Sequence, residues 1–237
     1  MAVLVYIESE ENKFKKTAYE ALSYGKALAD KMGSKVSGLV INCSDTDGLK
    51  KYGADKIITI DTPDFQKFSS KKYSHAIAEV IKSENSSVVI LSSSANSKFI
   101  GAHLSGITDA AYVSNVVGIP ESISPFVIKR TCFTNKAFSS TEMIDGLKII
   151  SVSSNSFGMI ESFNDSIVES FSPEKVDSNQ RTIKIEKETG SITIADADIV
   201  VSAGRGLKGP ENWEMIESLA DTLGAATACS KPVSDMG

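Results

Sequence analysis

Short apolar runs alternate with segments of helical periodicity through the first 110 residues, and this alternation constrains the fold more than any other feature. The predicted strands share an apolar character and are residues 2–7, 36–41, 56–60 and 88–91. The run at 88–91 is apolar at every position, as is typical of a parallel strand covered on both faces. A β-α-β-α order with right-handed crossovers predicts an α/β fold built on an open, mostly parallel sheet.

Helical segments separate or follow these strands. In the first, small or apolar residues recur about every 3.6 positions, and they are Phe14, Ala18, Ala21, Leu22, Gly25, Leu28, Ala29 and Met32. Gly33 is placed to end this helix, because glycine adopts the left-handed conformation of a C-terminal cap at little cost. Further helical stretches are predicted at 46–52, 74–83 and 99–104. The buried positions of the helix at 74–83 are predicted to be Ile77, Val80 and Ile81.

The pattern changes after residue 110. Residues 126–133, 137–143 and 147–153 look like consecutive strands without helices between them, which predicts a small antiparallel meander. Its aromatic residues, Phe126, Phe133 and Phe138, are expected to fill the core of the domain, with a partner-docking surface as the alternative. Residues 154–180 are predicted to be irregular, and 181–188 alternate apolar and charged residues like a half-exposed strand.

The strand–helix alternation restarts near the end of the chain, with a strand at 199–203, a helix at 211–223 and a strand at 225–229. We therefore predict an N-terminal α/β domain over 1–190 and the incomplete start of a second, doubly wound α/β domain over 191–237. The predicted helix carries an apolar stripe of Ile216, Leu219, Ala220 and Leu223. About 40 residues cannot bury enough surface to stand alone, so this segment is expected to pack on the first domain or to continue in a longer protein.

Composition excludes several classes of protein. Apolar residues make up 41% and charged residues 23%, which are ordinary values for a globular protein. The net charge of -5 argues against a nucleic-acid binder, and no apolar run approaches the roughly 20 residues of a membrane-spanning helix. Three scattered cysteines and an N-terminus without a leader pattern predict free thiols and a cytoplasmic location. With two histidines and no C-x-x-C pair, we expect no metal site.

No constellation of catalytic residues stands out. Ser93, Ser94 and His103 are not spaced as a nucleophile–base triad, and His103 lies in an apolar context that predicts a core or interface position. His75 is predicted to lie on the surface. Residues 1–110 contain no G-x-x-x-x-G-K-[ST] loop, which argues against an ATP-using enzyme. We expect a protein that performs no substrate chemistry of its own.

A glycine-rich loop lies between the last strand–helix pair. Gly204, Gly206 and Gly209 match G-x-G-x-x-G, and Pro210 suits the first position of a helix. A dinucleotide site also needs an acidic residue about 20 positions further on, and residues 227–231 contain none. An NAD site is therefore disfavoured.

What remains is a loop suited to an anionic ligand. Gly204 and Gly206 allow backbone N–H groups to approach closely, and Arg205 adds a planar, permanent charge. Ser230 and Lys231 follow the next strand and are predicted at the same carboxyl edge of the sheet, where open α/β folds bind ligands. The alternative is that the glycines form only a tight turn with solvated charges.

The residues of this loop resemble a known family. Residues 198–213 (DIVVSAGRGLKGPENW) and 216–235 are similar to the start of the FAD-binding domain of the electron-transfer flavoprotein alpha subunit. The first domain agrees more loosely, through its VLVYIE start, residues 53–56, the VVIL strand, and Arg130 with residues 135–137.

The resemblance implies an electron carrier that binds FAD together with a beta subunit and accepts electrons from acyl-CoA or other flavin dehydrogenases. By match, Arg205 and Ser230 contact the flavin cofactor. Many members have arginine after that serine, whereas Lys231 keeps the charge and loses the planar fork. The alternative function is a non-catalytic nucleotide-binding or scaffold module that acts through partner contact.

The family continues with a V-G-Q-T-G loop, an S-G-A-I-Q-H segment and a final nucleotide-contacting stretch. These segments, which supply most flavin contacts in the family, do not occur in the 237 residues. The resemblance therefore implies that a polypeptide of this length binds FAD weakly or not at all, whereas a longer form would bind it.

Overall fold

The computed structural model describes residues 2–144, 146–180, 182–186, 194, 197 and 199–235. It divides into two units, Met1–Arg181 and Thr182–Gly237. Within the described residues, every helix is too short or too polar to cross a membrane.

The first unit contains one large sheet flanked by helices. The strands of this unit are β1 (Ala2–Ile7), β2 (Ser9–Glu10), β3 (Lys13–Phe14), β4 (Lys35–Ile41), β5 (Lys56–Ile60), β6 (Ser86–Leu91), β7 (Ala111–Val116), β8 (Ser122–Ile123), β9 (Phe126–Cys132), β10 (Ala137–Met143), β11 (Lys148–Val152) and β12 (Ile167–Ser170). β2 and β3 form a separate two-stranded sheet. The helices of this unit are α1 (Lys16–Met32), α2 (Ser70–Ser83) and α3 (Ala95–Thr108), with 3-10 turns at Asp47–Lys51 and Pro63–Phe65. The ten-stranded sheet runs β10-β9-β7-β11-β6-β1-β4-β5-β12, with β8 against β9.

The predicted parallel sheet is confirmed. β1 lies between β4 and β6 and is parallel to both. Alternate residues of the central strands enter two separate cores, because helices cover both faces. Val3 and Val5 pack with Leu28 of α1, whereas Leu4 packs on the other face with Ile77 and Ile100 of α2 and α3. This two-sided burial explains why the strands are apolar runs rather than alternating sequences.

The helix predictions hold with changes at their ends. Gly33 caps α1 in the left-handed conformation, with φ of 62°, as predicted. Phe14 was wrongly placed on this helix: it lies in β3, opposite Ser9 in a short hairpin, and its ring contacts Tyr19 edge to face. α2 begins at Ser70, before the predicted start, and its buried side chains include the three predicted ones.

The predicted three-stranded meander is wrong in part. β9 and β10 form an antiparallel hairpin over seven residue pairs. β11, however, lies parallel between β6 and β7 inside the main sheet. Its Ile149 and Ile150 face opposite cores and are both fully buried, which is the pattern of a central parallel strand rather than of a meander. β7 was not predicted, because its sequence AYVSNV mixes polar and apolar residues.

The aromatic residues of the hairpin do not all fill the core. Phe126 is buried, but Phe133 and Phe138 are 79% and 64% exposed, which corrects the core prediction for these two. Phe133 lies at the hairpin turn with φ of 49°. Phe138 lies beneath the Lys129 ammonium, whose Nζ is 4.4 Å from the ring centre.

A crossing segment, residues 155–170, follows β11, which lies inside the sheet, and leads to the sheet edge next to β5. It was predicted to be irregular, but it ends in β12, which pairs in parallel with β5. Its first turn is held by Glu20 of α1, a carboxylate that is only 5% exposed. Glu20 accepts the backbone N–H groups of Asn155, Phe157 and Gly158 at 2.8–2.9 Å. This contact, invisible in the sequence, fixes the start of the crossing segment.

The second unit contains a small βαβ arrangement. Its elements are β13 (Val200–Ala203), 3-10 turns at Arg205–Leu207 and Pro210–Asn212, α4 (Glu214–Leu223), β14 (Ala226–Cys229) and α5 (Lys231–Ser234). β13 and β14 are parallel, as predicted. Thr182–Glu186 form no strand, which corrects the strand prediction there; residues 181 and 187–188 lie outside the described residues. On α4, Ala220 is buried, Ile216 is half-buried, and Leu219 and Leu223 are nearly half exposed.

Alkaline pH is expected to destabilise the first unit through Tyr73. Its hydroxyl donates to the carbonyl of Phe65 at 2.9 Å. Burial, assisted by the Glu8 carboxylate, raises the pKa of Tyr73 from 10.0 to about 12. The folded state favours the neutral phenol, so this stabilisation is complete below about pH 10, the unfolded pKa. It is lost as the pH rises through 12. Urea unfolding should show a steeper loss of stability across this interval in the wild type than in Tyr73→Phe; equal slopes would contradict the assignment.

Removing the carboxylate of Glu20 should loosen the crossing segment. Glu20→Ala leaves three backbone N–H groups without their acceptor, so we expect the free energy of unfolding to fall by at least about 2 kcal/mol. Glu20→Gln keeps one acceptor oxygen and should lose less. Chemical denaturation of the full chain measures both, and a change in Glu20→Ala below about 0.5 kcal/mol, the range of ordinary surface substitutions, would refute this role.

Candidate functional site

Two parallel strand ends form the candidate site in the second unit. Ala203 at the end of β13 pairs with Cys229 at the end of β14. The N–H of Ser230 donates to the carbonyl of Ala203 at 3.0 Å, which extends the pairing by one residue. The chain after β13 therefore begins beside the chain after β14. Gly204 and Ser230 lie next to each other at this carboxyl edge, as the sequence predicts.

Two glycines of the loop, Gly204 and Gly206, are not required by packing. Gly204 has an extended conformation with φ of -120°. A Cβ placed on Gly204 or Gly206 would have open space around it within 4 Å. Both residues and Arg205 between them are exposed. The bare backbone is thus left accessible to a ligand, which is the use of glycine that the sequence predicts.

The strained backbone position in this loop is Lys208, two residues after Gly206. This residue has φ of 71° and ψ of -51°, and the N–H of Gly209 donates to the carbonyl of Leu207 at 3.0 Å. The geometry is that of a rare, strained three-residue turn. The Asn212 side chain donates to the same Leu207 carbonyl at 2.9 Å and holds the loop from the other side. Sequence reasoning missed both Lys208 and Asn212, because neither the backbone angle nor the amide contact has a local signature.

The loop forms one wall of a cleft of about 860 Å³. The residues that line it come from the loop, α4, the end of β14 and α5, and they are Gly204, Arg205, Leu207, Lys208, Gly209, Pro210, Glu211, Trp213, Glu214, Glu217, Cys229, Val233 and Ser234. Gly206 of the loop lies outside this lining, and so do Ser230 and Lys231, which follow β14. The structure therefore brings Gly204 and Arg205 into the cleft and places Ser230 and Lys231 beside it. Ser230 makes no side-chain capping bond to the short α5.

The corresponding crevice in the first unit is filled by its own side chains. Strand order reverses between β1 and β6, which is the usual position of a ligand in an open α/β sheet. Here the buried carboxylate of Glu8 accepts the hydroxyls of Ser92 and Ser97 at 3.1 and 3.4 Å. The amide of Asn96 donates to the other oxygen at 3.5 Å.

The remaining polar candidates form no catalytic triad within the described residues. The hydroxyl oxygens of Ser93 and Ser154 are hydrogen-bonded at 2.8 Å. The hydroxyl of Ser94 caps α3 by accepting a hydrogen bond from the N–H of Ser97. His75 and His103 face each other edge to face, with ring centres 6.1 Å apart. Both are half-buried, so His75 is only partly at the surface and His103 is only partly buried. Among the described residues, no group of three or more acidic, histidine or cysteine side chains has a geometry that could hold a metal ion.

Two protein-family models match the chain. Residues 3–188 match the electron transfer flavoprotein domain. Residues 193–237 match the electron transfer flavoprotein FAD-binding domain, and this second match contains the loop, the cleft and both strand ends.

Individual proteins align over almost the whole chain. The electron transfer flavoprotein subunit alpha of Bacillus subtilis is 25% identical, with 98% of this chain and 73% of the relative covered. The protein of the same name from Syntrophomonas wolfei is 24% identical, covering 98% and 74%. A subunit of a lactate dehydrogenase (NAD+, ferredoxin) from Acetobacterium woodii is 20% identical, covering 99% and 58%.

Relief of the strained turn should stabilise the second unit. Lys208→Gly allows the positive φ without steric cost, so we expect a gain of about 1 kcal/mol in the free energy of unfolding. Lys208→Ala removes the same charge but keeps the strain, and it should show no gain. Thermal and urea unfolding of the full chain distinguish the two variants; an equal gain in both would assign the effect to charge instead.

Proposed function

The chain belongs to the electron transfer flavoprotein family, and we propose that it carries electrons as the alpha subunit of such a flavoprotein. It would bind FAD jointly with a beta subunit and perform no substrate chemistry of its own. The observation that carries the proposal is the meeting of the Gly204–Gly206 loop and the Ser230–Lys231 strand end at one carboxyl edge beside an open cleft.

The residues present suit part of a dinucleotide. The accessible backbone at Gly204 and Gly206 can approach a phosphate or a flat ring closely, since a Cβ there would occupy the open space. Arg205 supplies a planar cation for pyrophosphate or ring contact, and the hydroxyl of Ser230 is available as a donor. These residues would therefore hold FAD, together with Lys231.

When bound, FAD supplies the capacity to accept and release electrons, and the protein supplies position and electrostatics. The two cations, Arg205 and Lys231, would favour negative charge on the bound group. Glu211, Glu214 and Glu217 also line the cleft, and the Glu211 carboxylate lies against Gly209 of the loop.

We assign residues 1–190 to the domain that contacts the beta subunit, and 191–237 to the start of the FAD-binding domain. The exposed apolar side chains of the first domain support a role of this domain in partner contact. Acyl-CoA or other flavin dehydrogenases would be the electron donors. The free cysteines Cys43, Cys132 and Cys229 support a cytoplasmic location.

The double variant Arg205→Ala with Ser230→Ala tests the site in the complete heterodimer, formed by the beta subunit and the longer form of this chain that the family resemblance implies. Hydrogen bonds to charged groups contribute about 1.5–3 kcal/mol each, so FAD affinity should fall at least about tenfold. Flavin absorbance after equilibrium dialysis gives the affinity. Lys175→Ala, which removes another exposed cation in the first unit, serves as the matched control and should leave it unchanged.

Retention of stoichiometric flavin by the double variant would contradict the site assignment. A wild-type complete heterodimer that forms without taking up flavin or transferring electrons would instead support a scaffold module, the alternative function.

A further inference from the structure

We infer that the crossing segment of the first unit is a docking surface for the beta subunit. The inference rests on the proposed function, which supplies the second subunit, and it goes further by locating the contact. Its basis is an inverted pattern of burial. Phe157 at the start of the segment packs against Tyr24 and the core, but after it polar side chains face the protein and Phe163 and Ile167 face away.

The inward side of the segment is polar and held by specific hydrogen bonds. The Asn164 amide donates to the Asp55 carboxylate at 3.0 Å. The Ser166 hydroxyl donates to the carbonyl of Ala54 at 2.7 Å, and Ser166 is 8% exposed. These bonds fix which residues point outward, because a shift by one residue would exchange the two sets.

The outward side carries the apolar residues. Phe163 and Ile167 are 77% and 64% exposed. Met159, Ile160 and Val168 of the segment are also exposed, and Val168 points to the opposite face of β12 from Ile167 because side chains alternate along a strand. Single exposed apolar residues are ordinary, but a cluster along one short segment marks an interaction surface. Burial in a partner would recover the hydrophobic stabilisation that the isolated chain forgoes.

Charge identifies the kind of partner. The exposed acidic residues Glu161, Asp165 and Glu169 alternate along the segment with the exposed Phe163 and Ile167. The carboxylate of Glu169 lies 2.7 Å from Lys56 Nζ and remains 55% exposed. An apolar surface rimmed with lysine or arginine is complementary to this row. A second copy of this chain, with a net charge of -5, would bring acid against acid.

The backbone offers a further contact. β12 is the last strand of the sheet, and within the described residues it pairs with β5 alone. Its outer edge is therefore open to a strand from another chain. From these features together, we expect the surface to bind a segment of the beta subunit that has apolar side chains surrounded by lysine or arginine.

The test is the double variant Phe163→Asp with Ile167→Asp, in the full-length chain mixed with the beta subunit. We expect the dissociation constant of the heterodimer to rise at least about tenfold, because apolar side chains at the centre of an interface carry much of its affinity. Phe99→Asp is the matched control, since Phe99 is a phenylalanine of α3 that is also 64% exposed. It should change the constant less than about twofold. Sedimentation and calorimetric titration of the purified subunits measure both.

The outcomes separate the inference from the proposed function. If the wild-type chain fails to bind the beta subunit, the proposed function itself is refuted. If the wild type binds and the double variant binds equally well, or Phe99→Asp weakens binding as much, the docking surface is wrong. A lower melting temperature of the isolated double variant would show that these side chains are covered within the chain. A wild-type homodimer that the double variant disrupts would assign the surface to a second copy, and either result overturns the inference.

Discussion

Burial of the central parallel strands on both faces is the constraint on which the first unit depends. β1 sends alternate residues into two cores, and each core needs its own helical cover. α1 must therefore lie on one face, with α2 and α3 on the other. This arrangement also brings the carboxyl ends of the strands to one edge, where Glu8 and its hydroxyl donors fill the crevice.

The second unit applies the same geometry on a smaller scale, with a different result at the strand ends. Pairing of β13 with β14 aligns two chain segments that are remote in sequence. The loop after β13 has bare backbone and a permanent cation, and its second half contains the turn at Lys208 and the hydrogen bond from Asn212 to the Leu207 carbonyl. Where the first unit fills its crevice with a carboxylate, the second exposes cations.

The crossing segment links stability to assembly in the first unit. Glu20 holds its start, Asn164 and Ser166 hold its middle, and β12 holds its end. The inward polar side chains of Asn164 and Ser166 are hydrogen-bonded, whereas Phe163 and Ile167 are exposed. The exposed side is the one that we propose for partner contact.

The sequence by itself determined the elements whose signal is local. The apolar runs of β1, β4, β5 and β6, the stop of α1 at Gly33, and the loop between β13 and α4 follow from periodicity and from the conformational freedom of glycine. The family resemblance also rested on local motifs. Only the tertiary structure decided where β11 and β12 join the sheet, that Phe133 and Phe138 face outward, and that Glu20 anchors a loop more than 130 positions away. Strand partners and buried polar contacts depend on the free energy of the whole folded chain. They therefore cannot be predicted from a short stretch of sequence.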